Sequence, residues 1–202
     1  MHYIQNTIER YPVLTPCAKA MEEATLQLVH AYRKGGKILL CGNGGSAADC
    51  EHISGEFLKG FLSKRKIAEN EYPLFSDEAK SKLQKGIPCI PLPSLVGVNS
   101  AFCNDVDSDW IYAQLVFALG KKEDILICLS TSGNAKNVTL AAETAKALGI
   151  TTIALTGEKE SNLSRLCDIC IRVPETETYK IQELHLPVYH ALCAEVEKTL
   201  FE

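Results

Sequence analysis

A histidine and a glutamate four positions apart, His52 and Glu56, follow closely behind the glycine-rich residues 42–46, Gly-Asn-Gly-Gly-Ser. Residues with this spacing share one face of a helix, so an imidazole and a carboxylate can reach the same point. Such a pair is suited to moving protons or to holding a metal ion. The glycines allow the backbone to turn sharply and to approach a ligand closely. The segment therefore predicts a polar ligand site beside two groups capable of acid–base or metal chemistry.

The glycine run is positioned by an apolar segment before it and a helix after it. Residues 38–41 form a short apolar run, as expected of a strand that is covered on both faces of a sheet. Ser46 is predicted to cap the N-terminus of a helix that ends near Lys59. Backbone N–H groups and the positive end of the helix dipole would then face an anion or an oxygen-rich substrate.

A second polar loop, residues 130–134 (Ser-Thr-Ser-Gly-Asn), follows an apolar run over 124–129 and precedes a predicted helix over 134–148. A simple helix cap needs one hydroxyl, whereas this loop offers three, which favours phosphate binding over capping. The carboxyl ends of parallel strands meet at one edge of a sheet, so the two loops can line one cleft. A phosphorylated polyol or sugar is the expected ligand.

Two other phosphate-binding motifs fit the glycine run less well. Gly42, Gly44 and Ala47 match the spacing of the dinucleotide fingerprint, but residues 61–66 lack the acidic side chain expected to bind the ribose. No Lys followed by Ser or Thr completes a P-loop, which excludes that motif.

Strands and helices are predicted to alternate along the chain. Apolar helical spacing predicts a long N-terminal helix over 13–34, and a final helix is predicted over 178–200. This alternation predicts an α/β fold with a parallel sheet flanked by helices, in one domain spanning 1–202. The proline-bearing strand over 87–92 is expected towards a sheet edge. Further strands are predicted over 124–129, 151–155 and 168–173, and shorter helices over 108–119 and 161–166.

Residues 60–87 differ in composition from the rest of the chain and are predicted to leave the core. They are rich in Lys, Glu and Ser, and Ser76 could cap a short helix that ends at Gly86. Lys64, Arg65 and Lys66 are interpreted as a solvated surface, with phosphate steering or contact with a neighbouring subunit as the alternatives.

Composition limits the possible partners. The chain has 202 residues and a net charge of −4, which argues against a nucleic-acid-binding surface. No apolar run approaches the roughly 20 residues of a membrane-spanning helix, and no signal peptide is recognised at the start. We therefore expect a cytoplasmic protein. The nine cysteines, an odd number, are expected to be reduced thiols, and Cys167 and Cys170 are expected to point to opposite faces of a strand.

Three motifs in this order resemble the sugar isomerase (SIS) family: Cys-Gly-Asn-Gly-Gly-Ser at 41–46, Ser-Thr-Ser-Gly-Asn at 130–134 and Ile-Gln-Glu-Leu-His at 181–185. Within that family the chain is similar to the phosphoheptose isomerases over nearly its whole length, apart from residues 60–87. The resemblance implies a three-layer, flavodoxin-like sandwich. It also implies conversion of sedoheptulose 7-phosphate to D-glycero-D-manno-heptose 7-phosphate, and tetramers whose sites are shared between subunits.

The resemblance also implies roles for single residues. Glu56 would be the general base and His190 the general acid. Zinc would be the cofactor, held by His52, Glu56, Gln182 and His190. Eight positions separate Gln182 from His190, a little over two helical turns, so both can project from one side, whereas His185 lies on another face and is expected to be structural. The residues expected to bind substrate are Asn43, Gly44, Gly45, Ser46, Asn104, Asp105, Ser130, Thr131, Ser132 and Gln182.

Three departures from the family pattern bear on these expectations. Ala135 stands where the family usually has a serine, and no acidic residue occupies the expected place shortly before Gln182. Pro187 lies between Gln182 and His190, where it removes a helical hydrogen bond and is expected to kink the last helix.

Two other functions are compatible with the family resemblance. A relative within the family associates with the replication initiator DnaA and is not an enzyme, and residues 198–202 resemble its ending. His190 favours the isomerase because that relative lacks a histidine at this place. The other alternative is a phosphosugar-sensing module that binds its ligand without turnover.

Overall fold

The computed structural model describes all 202 residues, and its short apolar runs form one parallel sheet of five strands. The strand order is β2-β1-β3-β4-β5, and every neighbouring pair is parallel. The predicted strands are confirmed, and the proline-bearing strand lies at an edge of the sheet as expected. The strands are β1 Ile38–Gly42, β2 Cys89–Pro91, β3 Ile125–Leu129, β4 Thr151–Thr156 and β5 Ile169–Arg172.

Helices cover both faces of this sheet, which confirms the three-layer α/β sandwich. Short 3₁₀ segments occupy Pro12–Cys17, Leu92–Ser94 and Ser108–Trp110. None of the helices is both long and apolar enough to cross a membrane. The α-helices are α1 His2–Arg10, α2 Ala18–Arg33, α3 Gly45–Leu58, α4 Asp77–Lys82, α5 Val96–Asp105, α6 Ile111–Leu119, α7 Lys136–Ala147, α8 Asn162–Leu166 and α9 Thr178–Phe201.

Alternate side chains of each central strand enter different cores. Ile38 and Leu40 of β1 belong to the core beneath α1, α2, α3 and α9. Leu39 and Cys41 belong to the opposite core, which is formed with α6 and α7. Because successive strand residues point to opposite faces, an apolar run without alternation is the pattern that a doubly covered strand requires.

The N-terminal region differs from the single predicted helix over 13–34. Residues 12–17 form a 3₁₀ segment, α2 begins only at Ala18, and α1 precedes both. Pro12 and Pro16 explain the difference, since proline lacks the N–H that an α-helix interior requires. Near the other end of the chain, α9 runs from Thr178 through Pro187 to Phe201 as one helix.

Within residues 60–87, the interpretation of the basic cluster as solvated surface is wrong for Arg65. Lys64 and Lys66 are exposed, whereas Arg65 is 4% exposed and is paired with Glu197 of α9. The segment contains α4, which Ser76 caps as predicted by accepting a hydrogen bond from the backbone N–H of Ala79. This helix ends at Lys82, earlier than the predicted Gly86.

Candidate active site

The strand order identifies where a ligand cleft can form. β1 and β3 are neighbours, and the chain continues from β1 to one side of the sheet and from β3 to the other. In open parallel sheets, ligands bind at the carboxyl ends of the strands at such a reversal. The loops after β1 and β3 are the glycine and hydroxyl loops singled out in the sequence. The topology therefore places the glycine loop and the hydroxyl loop at the edge of the same crevice.

A pair of amides joins the glycine loop to the first turn of α7, the helix that follows the hydroxyl loop. The side chains of Asn43 and Asn137 exchange two hydrogen bonds, of 2.8 and 3.0 Å. The Tyr112 hydroxyl donates to the carbonyl oxygen of Gly42 at 2.8 Å and lies 3.3 Å from the Asn43 side-chain oxygen. Neither Asn137 nor Tyr112 is in a recognised motif, so sequence reasoning missed both.

The glycine loop begins α3 differently from the prediction, because Ser46 is not the helix cap. The cap position is Gly44, with φ +56°, and no side chain caps this end of the helix. Ser46 lies within the first turn and is buried. A Cβ atom on Gly45 would come within 2.5 Å of the Gln182 side-chain nitrogen. The structure therefore brings Gln182 against the loop expected to bind the sugar, and glycine at position 45 allows this approach.

The hydroxyl loop divides its three hydroxyl residues between the interior and a cavity. Ser130 is buried, while Thr131 and Ser132 line a cavity of about 220 Å³. The helix α7 starts at Lys136, two residues later than predicted. Its cap position, Ala135, provides no side-chain hydrogen bond, which follows from the departure noted in the sequence.

Charge at the rim of this cavity does not by itself favour an anion. Three carboxylates, Glu158, Glu160 and Glu175, line it together with one ammonium group, Lys159. Phosphate affinity at this loop would therefore have to come from hydroxyl and backbone donors rather than from net charge.

The imidazole of His52 contacts both proposed acid–base residues. Its Nε2 atom lies 3.4 Å from Oε1 of Glu56 and 3.4 Å from Nε2 of His190. Glu56 also accepts a hydrogen bond from Lys59 at 3.1 Å, and the ring of Phe61 lies 5.5 Å from that of His190. Helices α3 and α9 thus bring the carboxylate and the second imidazole together within one chain.

Two residues behind His52, the buried Tyr189 and the half-buried Asp49, were not found from the sequence. The Tyr189 hydroxyl lies 3.0 Å from Nδ1 of His52 and donates to Asp49 at 3.2 Å. The second carboxylate oxygen of Asp49 is buried without a partner, and burial raises the pKa of this residue. Asp49 precedes His52 by three positions and Tyr189 adjoins His190, so helical spacing could have suggested both.

Burial also affects the protonation of His190 on α9. The pKa of His190 is lowered, first by burial and then by the proximity of His52. A lowered pKa favours the neutral imidazole, the form that can accept a proton or bind a metal.

The distances around His52 bear on whether zinc fits here. Two ligands each about 2.1 Å from a tetrahedral zinc ion lie about 3.4 Å apart. The His52–Glu56 and His52–His190 distances, both 3.4 Å, match that separation. However, no group of three or more His, Cys, Asp or Glu side chains is arranged to hold a metal ion. The residues fit zinc as pairs, and a complete ligand set does not form in this single chain.

Three further sequence predictions have definite positions in the structure. Asn104 and Asp105 are exposed at the end of α5 and hydrogen bond to each other at 2.9 Å, so their expected contact with substrate stays a prediction. His185 is fully buried, with its Nε2 atom 3.4 Å from the carbonyl oxygen of Thr156, which confirms a structural position.

A parallel sheet with polar loops at the strand-order reversal defines an open α/β fold of the ligand-binding class, and the family comparisons narrow that class. Models of the SIS domain match residues 2–87 and 100–194. The chain is 37% identical to the phosphoheptose isomerase of Rhodospirillum rubrum, over 98% of this chain and 95% of that protein. It belongs to the phosphoheptose isomerase family.

Two solved structures of phosphoheptose isomerases have the same fold as this chain. The phosphoheptose isomerase of Francisella tularensis is 29% identical, with a TM-score of 0.79 over 98% of this chain and 95% of that one. The enzyme of Neisseria gonorrhoeae is 28% identical, with a TM-score of 0.76 over 98% of this chain and 94% of that one. Similarity therefore extends over almost the full length of each chain.

Proposed function

We propose that this protein is an aldose–ketose isomerase that converts sedoheptulose 7-phosphate to D-glycero-D-manno-heptose 7-phosphate. The observation that carries the proposal is the contact of Glu56 and His190 with one imidazole, between α3, which follows the glycine loop, and α9, which brings Gln182 against that loop. The relatives named phosphoheptose isomerase support the choice of substrate. They favour an enzyme over an adaptor or a sensor.

In the proposed mechanism, the strand-end loops hold the sugar phosphate while two side chains move protons. Thr131 and Ser132 would contact the phosphate, and residues 43–46 would contact the sugar. Glu56 removes the proton from the carbon next to the carbonyl group, which leaves an enediolate. His190 transfers a proton between the two oxygens of that enediolate, and Glu56 then returns its proton to the neighbouring carbon. Each such acid–base group typically contributes about 10²–10⁴-fold to the rate.

We also propose that zinc assists this reaction, held by His52, Glu56, Gln182 and His190. When bound, zinc would supply Lewis-acid polarisation of the substrate carbonyl. The 3.4 Å separations of His52 from Glu56 and from His190 support this proposal. The side chain of Gln182 lies against Gly45, so it would have to move to bind the ion, or another ligand would take its place. Asp49 and Tyr189 would orient His52, since metal-bound histidines commonly hydrogen bond through their second nitrogen.

Turnover of sedoheptulose 7-phosphate tests the function directly, with Glu56→Gln as the test of the mechanism. We expect wild-type turnover, and a fall in kcat of at least about 10²-fold in the variant, because an amide cannot accept the proton. Glu51→Gln is a matched control, since Glu51 lies on the same helix and contacts Ser94 rather than His52. No turnover by the wild-type protein would contradict the function, and full turnover by Glu56→Gln would remove Glu56 from the mechanism.

Metal analysis of the purified protein tests the zinc proposal separately. We expect about one zinc ion per chain in the wild-type protein and markedly less in His52→Ala, because that imidazole is the common partner of the other groups. His30→Ala, which alters an exposed histidine on α2, should leave the zinc content unchanged. Full activity in wild-type protein from which chelators have removed all metal would contradict a role for zinc.

We further propose a homotetramer with sites shared between subunits, as the family resemblance implies. The structure offers a surface suited to such contacts. A cavity of about 640 Å³ is lined by eight residues, of which Asp107, Gln114 and Thr144 are polar and five are hydrophobic, including Val106, Trp110 and Phe117. These three are 47–66% exposed in the single chain, which is unusual for large apolar side chains in one patch.

A further inference from the structure

Arg65 and Glu197 form a buried ion pair between the segment after α3 and the last helix. Their side chains are 0% and 1% exposed, and Nε of Arg65 lies 2.6 Å from Oε1 of Glu197. Arg65 has φ +42°, a backbone conformation that residues other than glycine seldom adopt. Such a conformation persists only where surrounding contacts hold it.

The guanidinium of Arg65 binds the end of the helix that carries Glu56. It donates to the carbonyl oxygen of Phe57 at 2.7 Å and to that of Glu56 itself at 3.1 Å. The last carbonyl groups of a helix have no partner within the helix, and a cation there also interacts favourably with the helix dipole. Arg65 thus holds the backbone of the proposed base directly.

The carboxylate of Glu197 holds the chain that follows this helix. Its oxygens accept hydrogen bonds from the backbone N–H groups of Phe61, Leu62 and Ser63 at 2.8, 2.7 and 3.0 Å. The ring of Phe61 lies against His190. Glu197 and His190 are seven positions apart, so they lie two turns apart on one face of α9.

We propose that the Arg65–Glu197 pair is a positioning device for the isomerisation, which fixes the end of α3 that bears Glu56 against the part of α9 that bears His190. This rests on the proposed function, because it requires Glu56 and His190 to be the proton-transferring groups. The Arg65–Glu197 pair has no hydrogen bond to the glycine loop or to the hydroxyl loop. Its loss should therefore impair proton transfer more than substrate binding, since small misplacements of reacting groups cost large factors in rate.

Kinetics of two conservative variants, Arg65→Lys and Glu197→Gln, test this proposal. Lysine keeps the charge but cannot form the fork to both carbonyl oxygens, and glutamine keeps the shape but loses the charge. We expect kcat for sedoheptulose 7-phosphate to fall at least about tenfold while KM changes by less than about threefold. Each variant is assayed well below its own unfolding temperature. If Glu197→Gln does not fold, Glu197→Asp takes its place.

The matched control is a second buried carboxylate, Asp124, at the opposite end of the strands. It is 3% exposed, pairs with Lys37, and accepts hydrogen bonds from the backbone N–H groups of Lys37 and Lys121. Asp124→Asn should lower the unfolding temperature as much as Glu197→Gln while leaving kcat unchanged. A fall in kcat as large in Asp124→Asn would show a general effect of destabilisation and overturn the proposal.

Glu56→Gln separates the failure of this proposal from that of the proposed function. If Glu56→Gln is inactive while Arg65→Lys and Glu197→Gln keep kcat within twofold of wild type, the positioning role is wrong and the mechanism stands. If Glu56→Gln is fully active, the proposed mechanism itself fails, and the positioning role fails with it.

Discussion

His185 is a histidine enclosed by the apolar core of α9 and β4 rather than a member of the site. Its Nδ1 atom has no hydrogen-bond partner, and burial lowers its pKa to about 4. His185 precedes His190 by five positions, and helical spacing therefore placed the two histidines on different faces of the predicted helix. The two histidines show that residue type alone does not assign a role, since burial and partners decide it.

Stability should depend on pH through His185. In the unfolded chain its pKa is about 6.5, so acid protonates the unfolded state before the folded state. The free energy of unfolding is therefore undiminished above pH 6.5 and falls as pH decreases towards 4, by about 3 kcal/mol from this residue. Urea unfolding at several pH values measures this loss.

The contribution of His185 is isolated by comparing wild type with His185→Gln, which cannot titrate. We expect the variant to lose about 3 kcal/mol less than wild type over this pH range. His30→Gln, which alters an exposed histidine, should lose as much as wild type. Parallel pH profiles for wild type and His185→Gln would contradict the assignment.

At the scale of elements, the hydroxyl loop depends on Gly133 for its approach to α8. Gly133 has φ +65°, and a Cβ atom there would lie 2.1 Å from Oγ of Ser161. Ser161 caps α8, and the carbonyl oxygen of Gly133 accepts a hydrogen bond from the N–H of Leu163 at 3.0 Å. The loop is therefore fixed by the helix on its far side as well as by β3.

Gly133→Ala should destabilise the protein and displace the proposed phosphate loop. Gly35→Ala is the control, because Gly35 has φ +77° but open space where its Cβ atom would lie. Both variants carry the conformational cost of positive φ, and only the first adds the clash, for which we expect about 1–3 kcal/mol more destabilisation. Urea unfolding measures the difference, and KM should rise only in Gly133→Ala. Equal losses of unfolding free energy in the two variants would show that the loop accommodates the added Cβ atom without further destabilisation, which would contradict this prediction.

At the scale of the whole molecule, the apolar patch on α6 and the turn before it should decide whether chains associate. Phe117→Glu places a charge on a side chain that is 66% exposed in the single chain. If a second copy covers this surface, burial of an unpaired charge should shift the protein to a smaller assembly. Light scattering coupled to gel filtration measures the mass.

Leu74→Glu is the control for that experiment, because Leu74 is 98% exposed in the segment between α3 and β2 and does not line the cavity. We expect it to leave the mass unchanged. A tetramer that persists in Phe117→Glu would place the interface elsewhere, and a monomeric wild type would contradict the proposed assembly.

Hydrophobic periodicity and glycine turns are local signals, so the strands, their loops and most helices could be predicted from the amino-acid sequence. The alternation of elements predicted the parallel sheet, and three short motifs indicated the family. Local rules also explain where the predictions failed. Prolines at 12 and 16 delayed α2, and a glycine with positive φ, rather than Ser46, begins α3.

Contacts between side chains far apart in the sequence could not be predicted and are known from the folded structure alone. The contact of Asn43 with Asn137, the support of His52 by Tyr189, and the burial of Arg65 against Glu197 join residues 94 to 137 positions apart. No periodicity or motif records such pairs. Desolvation makes a buried charge or amide costly unless a partner is close, and packing of the whole chain determines whether that partner is there.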